Sequence, residues 1–270
     1  MSFLGQGCKI ESISTLDLQN YKRKLQSSYA SVDRLNLNIS VMKAMFHWAR
    51  RNDVLENIPN IDAISKGKVV HREMYTFNSQ QIRNLLSAAD IKTRAMIWLG
   101  LNCGFGCTDC GKLKWKDLDF KSSRVKLARN KTGVWRNFPL WPETVKALKE
   151  LPRSGPSVFY TSEGHPWVRT VIKTNGYGDR EYTSVNRITP SFSRLMKKVG
   201  IHAPKGTGFY ALRRTAATMA AVSGDPFAVQ RLLGHVDLTM ATRYVQDVSE
   251  QTDRVIENSK KYVIRGEDVA

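Results

Sequence analysis

Residues 124–140, RVKLARNKTGVWRNFPL, set a two-residue beat inside a largely helical sequence. Val125 and Leu127 alternate with polar neighbours, the turn residues NKTG follow, and Trp135, Phe138 and Leu140 resume the apolar pattern. That is the signature of two short strands joined by a turn. The flanks are different. SQQIRNLLSAA and KTRAMIWLGLNCGF precede the hairpin with helical spacing, and PETVKALKEL follows it, with Pro142 at a helix start. SVFYTSEGHPWV reads as one strand and a glycine turn. From Ile188 onward the pattern is helical again, through ITPSFSRLMKKVG, ALRRTAATMAAVSG, DPFAVQRLLGH and LTMATRYVQ. A hairpin enclosed by helices predicts a fold that is mainly α with a small antiparallel β-sheet.

The chain divides in two. Residues 12–60 are helical in pattern: TLDLQNYKRKL has Ser14 or Thr15 as its N-cap, and a second run places Leu35, Ile39, Met42, Met45, Phe46 and Ala49 at helical spacing. Pro59 and Gly67 then break the periodicity, and the segment turns basic without an apolar face. The reading is a short helical domain over 1–65, a linker over 66–75 and a larger domain over 76–270. Trp48, Trp98 and Trp115 lie in apolar patterns and are expected in the core.

Forty-two Lys and Arg stand against 24 Asp and Glu, a net charge of +18 on 270 residues. Such a surplus repels itself unless it meets a polyanion, and nucleic acid is the usual one. With 41% hydrophobic residues the chain has enough apolar material for a packed core. No apolar run approaches a membrane span, and MSFLGQGCKIES has neither the basic start nor the apolar stretch of a secretory leader. A cytoplasmic, nucleoid-associated protein in a reducing compartment is expected. Disulfides are then not expected among Cys8, Cys103, Cys107 and Cys110. CGFGCTDC clusters three cysteines without a second Cys/His pair at zinc spacing, so neither a metal nor a small-molecule cofactor is expected.

The stretch LLGHVDLTMATRY, 232–244, raises the chemical question. Taken alone, Tyr244 is a packed helix aromatic and His235 a helix-end residue satisfying carbonyls. Arg213 beside Arg214 is a basic pair, and Arg129, Lys131 and Arg136 are hairpin cations suited to a DNA backbone. Taken together, a tyrosine, a histidine, an arginine and a lysine suit phosphoryl transfer: a phenol as nucleophile, fixed donors for the non-bridging oxygens and an ammonium as general acid.

The segment GFYALRRTAATMAAVSGDPFAVQRLLGHVDLTMATRYVQ resembles the C-terminal box of the tyrosine recombinases, the phage-integrase family. Arg213, His235 and Tyr244 match that family's arginine, later histidine and nucleophile. LKWKDLDF and ARNKTGVWRNFPL resemble its strand and β-hairpin, where Lys131 fits the catalytic lysine. LNLNISVMKAMFHWARRNDVLENIPN is similar to the end of its helical, SAM-like core-binding domain. The resemblance implies a catalytic-type α+β domain over 76–270, double-stranded DNA as partner, self-association on DNA, and cleavage and rejoining through a 3′-phosphotyrosine. Two positions depart from the pattern. Tyr210 stands in place of the histidine of His-x-x-Arg, and Gly106 stands where the first catalytic arginine belongs, with Asp109 at the acidic position. Lys112, Lys114 or Arg94 are candidates to supply the missing cation. Lys43, Arg50, Arg51, Lys66, Lys68, Arg72, Arg129 and Arg136 are expected DNA contacts. The rival expectation is a DNA-binding protein that keeps the fold without the chemistry, and an RNA-binding protein ranks behind both.

Overall fold

The structure, a computed structural model, describes residues 8–28, 31–69, 75–129, 131–176, 178–221 and 226–234. His235, Tyr244 and Arg72 lie outside the described residues, as does the run LTMATRYVQ. The chain forms two compact units, Met1–Arg72 and Glu73–Ala270.

The first unit is built on α1 (Thr15–Ser28) and α2 (Val32–Arg51). Ser14 is the cap of α1: its hydroxyl accepts from the Asp17 amide at 3.2 Å, while its own amide and hydroxyl donate to the Asp17 carboxylate. Leu35, Ile39, Met42, Phe46 and Ala49 line one stripe of α2 and bury it against Leu18 and Leu25 of α1, with Leu55, Ile61 and Ile64 closing the core. Met45 and Trp48 belong to the other side of α2. Trp48 is 60% exposed rather than in the core, and with Leu37, Val41 and Met45 it forms an apolar stripe on the helix surface. The helical period explains this, since Trp48 is two residues past Phe46 and so points away from it.

The second unit gathers around α4 (Ile91–Cys103), whose residues are buried on nearly every side. Asp90 caps its start by accepting from the Lys92 and Thr93 amides, and Gly104, at φ +61°, ends it in the left-handed conformation. Around it lie α3 (Ser79–Ala88), α5 (Cys107–Lys112), α6 (Pro142–Lys149), α7 (Ile188–Lys198) and α8 (Tyr210–Ala221), with α9 (Pro226–Leu233) against α8. Strands β1 (Leu118–Asp119), β2 (Arg124–Ala128) and β3 (Trp135–Pro139) make an antiparallel sheet in the order β1-β2-β3. A second antiparallel pair, β4 (Val168–Thr174) with β5 (Arg180–Asn186), was not foreseen. Most of its residues are exposed on both faces, so the apolar alternation that reveals a half-buried strand is missing. The protein is thus mainly helical with small antiparallel sheets. Trp98 and Trp115 lie half-buried against its core.

Candidate functional site

The site is assembled where the hairpin, the α4–α5 turn, the start of α8 and the end of α9 meet. On α8, Arg213 is 0% exposed. Its guanidinium donates to the Gly104 carbonyl at 2.5 Å and to the Leu233 carbonyl. A single planar fork therefore spans the turn after α4 and the last turn of α9, a geometry that no point charge reproduces. Tyr210, one helical turn earlier and 39% exposed, sets its ring 5.9 Å from the Arg213 guanidinium and 5.7 Å from that of Arg214.

Strand parity decides what β3 contributes. Val125 pairs with Phe138 and Leu127 with Arg136, so the inward residues of β3 are the even ones. Trp135, expected inside, is 67% exposed, and Arg136, expected on the surface as a DNA contact, is 0% exposed. The same beat that turns Phe138 and Leu140 inward turns Arg136 inward, so the signal was present in the sequence. Arg136 donates to the Leu233 carbonyl at 2.8 Å, places Nη1 3.4 Å from Asp109 Oδ2, and lies 5.5 Å from the Phe105 ring centre. Burial, opposed by Asp109 and reinforced by Arg213 and Arg129, brings Arg136 down to about 10, still a cation at neutral pH.

Asp109 also accepts from the Gly106 amide at 3.0 Å, which caps α5. Arg136 and the backbone of Gly106 therefore share one carboxylate oxygen. The cations expected to stand in for an arginine at 106 are elsewhere: Arg94 is spent on the Leu86 and Ala89 carbonyls, and Lys112 and Lys114 are exposed.

The hairpin turn is tied to the same place. Arg129, half-buried, donates to the Gly234 carbonyl at 2.8 Å, and the Thr132 hydroxyl donates to it at 3.1 Å. Arg129 is thus engaged with α9 rather than displayed as a free surface cation. Lys131, between these two anchors, is exposed. Gly234, at φ +59°, ends α9. The carbonyls of Leu233 and Gly234 collect donors from three arginines and a threonine, immediately before His235. Helix C-termini carry partial negative charge and draw cations, but the gathering exceeds that need.

The structure therefore brings together Arg213, Tyr210, Asp109, Arg129 and Arg136, with Lys131 on the adjoining turn. Lys43, Arg50, Arg51, Lys66 and Lys68 belong to the first unit. Four of these are exposed, and Lys43 is half-buried with its ammonium 3.7 Å from Asp62. Cys103 and Cys110 are buried, free thiols. Among the described residues no three of His, Cys, Asp and Glu gather as a metal site, and no helix is long and apolar enough to cross a membrane.

Comparison with known proteins identifies the family and the fold. The family described as the phage integrase family matches residues 73–251. A tyrosine recombinase XerC-like protein of Caldanaerobacter subterraneus subsp. tengcongensis is 21% identical, over 93% of this chain and 72% of its own length. Tyrosine recombinase XerC of Chromobacterium violaceum is 25% identical over 84% of this chain and 74% of its own. Among solved structures, the Tn1549 transposon integrase in complex with circular intermediate DNA superposes with a TM-score of 0.69 at 21% identity, covering 93% of this chain and 86% of that one. A lambda integrase dimer bound to a core site gives 0.69 at 18%, covering 90% and 83%. The structural likenesses establish the fold, and the family match over well more than half of the sequence establishes that this chain belongs to the phage integrase family, the tyrosine recombinases.

Proposed function

We propose that the protein is a site-specific recombinase that cleaves and rejoins double-stranded DNA through a covalent 3′-phosphotyrosine at Tyr244. The observation that carries this reading is the convergence of the buried guanidiniums of Arg136 and Arg213 on the Leu233 carbonyl at the end of α9, two residues before His235, with Lys131 on the adjoining turn. Preorganised cations of this kind stabilise the charge that builds on a phosphate's non-bridging oxygens. In the step proposed, the phenol oxygen of Tyr244 bonds to phosphorus as the phosphorus–O5′ bond breaks. The phenolic proton leaves to solvent, and the Lys131 ammonium protonates the departing 5′ oxygen. Arg213 and His235 donate to the non-bridging oxygens. The phosphodiester energy is kept in the tyrosyl link, so reversal reseals the strand without a nucleotide. The substrate places the protein beside DNA in the cytoplasm.

Residues 1–65 act in this scheme as a helical DNA-binding domain, 66–75 as a basic linker and 76–270 as the catalytic domain. Exposed Arg50, Arg51, Lys66 and Lys68 supply backbone contacts, which position the duplex without reading its sequence. The DNA-bound dimer of lambda integrase supports self-association on the substrate. A second reading, a DNA-binding protein without cleavage, is favoured by Gly106, since glycine offers no charge where the family places an arginine.

A nicked suicide duplex carrying the cognate site separates the two. Wild type is expected to give a covalent protein–DNA band on a denaturing gel that Tyr244→Phe abolishes. Salt-sensitive binding with no covalent band would establish the second reading instead.

A further inference from the structure

Arg136 is the group in this site that the family's pattern leaves unassigned. Three guanidiniums, Arg129, Arg136 and Arg213, converge on the end of α9, two of them wholly buried, and among the described residues the carboxylate ion-paired at this place is Asp109, beside Arg136. A buried surplus of positive charge is costly unless an anion completes it, and the partial charge of a helix end is a fraction of one. Arg136 also has donors to spare. A guanidinium carries five N–H donors. Those of Arg136 make one hydrogen bond, to Leu233, while Nη1 faces Asp109 without hydrogen-bond geometry and Nε has no partner among the described residues. The Leu233 carbonyl is an acceptor shared by Arg136 and Arg213, so both forks already converge on one oxygen.

Resting on the strand-transfer reading above, we propose that Arg136 of β3 replaces the arginine missing at position 106, binding a non-bridging oxygen of the scissile phosphate beside Arg213. Asp109 orients the replacement. Its carboxylate holds the Gly106 amide on one side and Arg136 on the other, so the guanidinium of β3 stands where a side chain from 106 would bring its own. The carbonyls of Leu233 and Gly234 cover the cations, and the phosphate reaches them by taking over those acceptor positions. The charge is thus conserved in space while its origin in the chain has moved from the start of α5 to the hairpin.

A swap tests this. Arg136→Gln keeps a donor and most of the volume, and is expected to lower covalent-complex formation on the suicide duplex about 10²–10³-fold. Gly106→Arg combined with Arg136→Gln returns a guanidinium to Asp109 from the family's position. The backbone permits it: φ at Gly106 is −92°, and a Cβ there meets the Tyr210 ring at 3.7 Å, an ordinary contact. The double variant is expected to recover to within about tenfold of wild type. Cleavage by a folded Arg136→Gln near the wild-type rate overturns the proposal, as does a folded, DNA-binding double variant with no recovery. Should wild type form no covalent band, the strand-transfer reading fails by itself, and the Arg136 contact is read by affinity. A neutral methylphosphonate stepped through the centre of the site is expected to weaken wild type roughly 10- to 100-fold at one position and Arg136→Gln clearly less there, since only Arg213 and His235 remain to lose the charge. Equal weakening of both proteins at every position overturns it.

Discussion

A wholly buried arginine survives only where its surroundings replace water, and Arg213 and Arg136 show two ways of doing so. Arg213 is matched by carbonyls at both ends of its fork, from Gly104 and Leu233. Removing it strands the Gly104 carbonyl at a cost of about 1–3 kcal/mol, while the Leu233 carbonyl keeps the Arg136 donor. Arg136 relies on one carbonyl, one carboxylate and the face of Phe105. The thiols next to this network behave in the opposite sense. Burial pushes Cys103 up to about 12, against the pull of Arg136, and pushes Cys110 well above the usual thiol range. In the unfolded chain these thiols ionise near 9, so the folded protein holds protons that the unfolded one has lost. Stability is therefore expected to be undiminished by the thiols below pH 9 and to fall as pH rises from 9 towards 12. Denaturant titrations across that range measure it. At pH 8, iodoacetamide is expected to label exposed Cys8 in the native protein and Cys103 and Cys110 after unfolding. Native labelling of Cys110 would contradict its burial.

The elements are placed by close approaches as much as by apolar faces. Gly100 of α4 lets α8 lie against it: an added Cβ would stand 3.0 Å from the Leu212 Cβ. Gly111 of α5 is tighter, with an added Cβ 2.3 Å from Val168 Cγ2 and 3.1 Å from its backbone nitrogen. A helix-interior Gly→Ala change ordinarily stabilises by about 0.5–1 kcal/mol. At Gly111 the contact with β4 reverses the sign, and Gly111→Ala is expected to destabilise by roughly 1–3 kcal/mol. A thermal melt should show a fall of roughly 2–4 °C for each kcal/mol, and a rise in Tm would contradict the packing of α5 on β4. This constraint was not visible beforehand, because it depends on a strand 57 residues away along the chain that carries no alternation of its own. The helices of the second unit, by contrast, were legible from their spacing and from Pro142, because helical period and capping are local properties. Trp48 shows the limit of that legibility. Apolar type suggested the core, while the 3.6-residue period placed it outside.

At the scale of the whole molecule, a charge of +18 predicts how the protein holds DNA. Affinity is expected to fall linearly in log–log form with salt, with a slope of about −0.9 per phosphate neutralised. Replacing Arg50 and Arg51 by alanine should make that slope shallower by about one to two without altering the second unit's melting. An unchanged slope would remove this end of α2 from the DNA contact. Composition, the hairpin and the helix periods were determined by sequence alone, since each is written in neighbouring residues. So was the family, through the resemblance of the one continuous segment that carries Arg213, His235 and Tyr244. The fate of Arg136 was not. Parity marked it as inward, but only the meeting of β3 with the α4–α5 turn, α8 and the end of α9 put its guanidinium beside Asp109 and Gly106. Those partners lie as far as 97 residues from it along the chain, and only tertiary packing brings a charge from one segment to the place another has left empty.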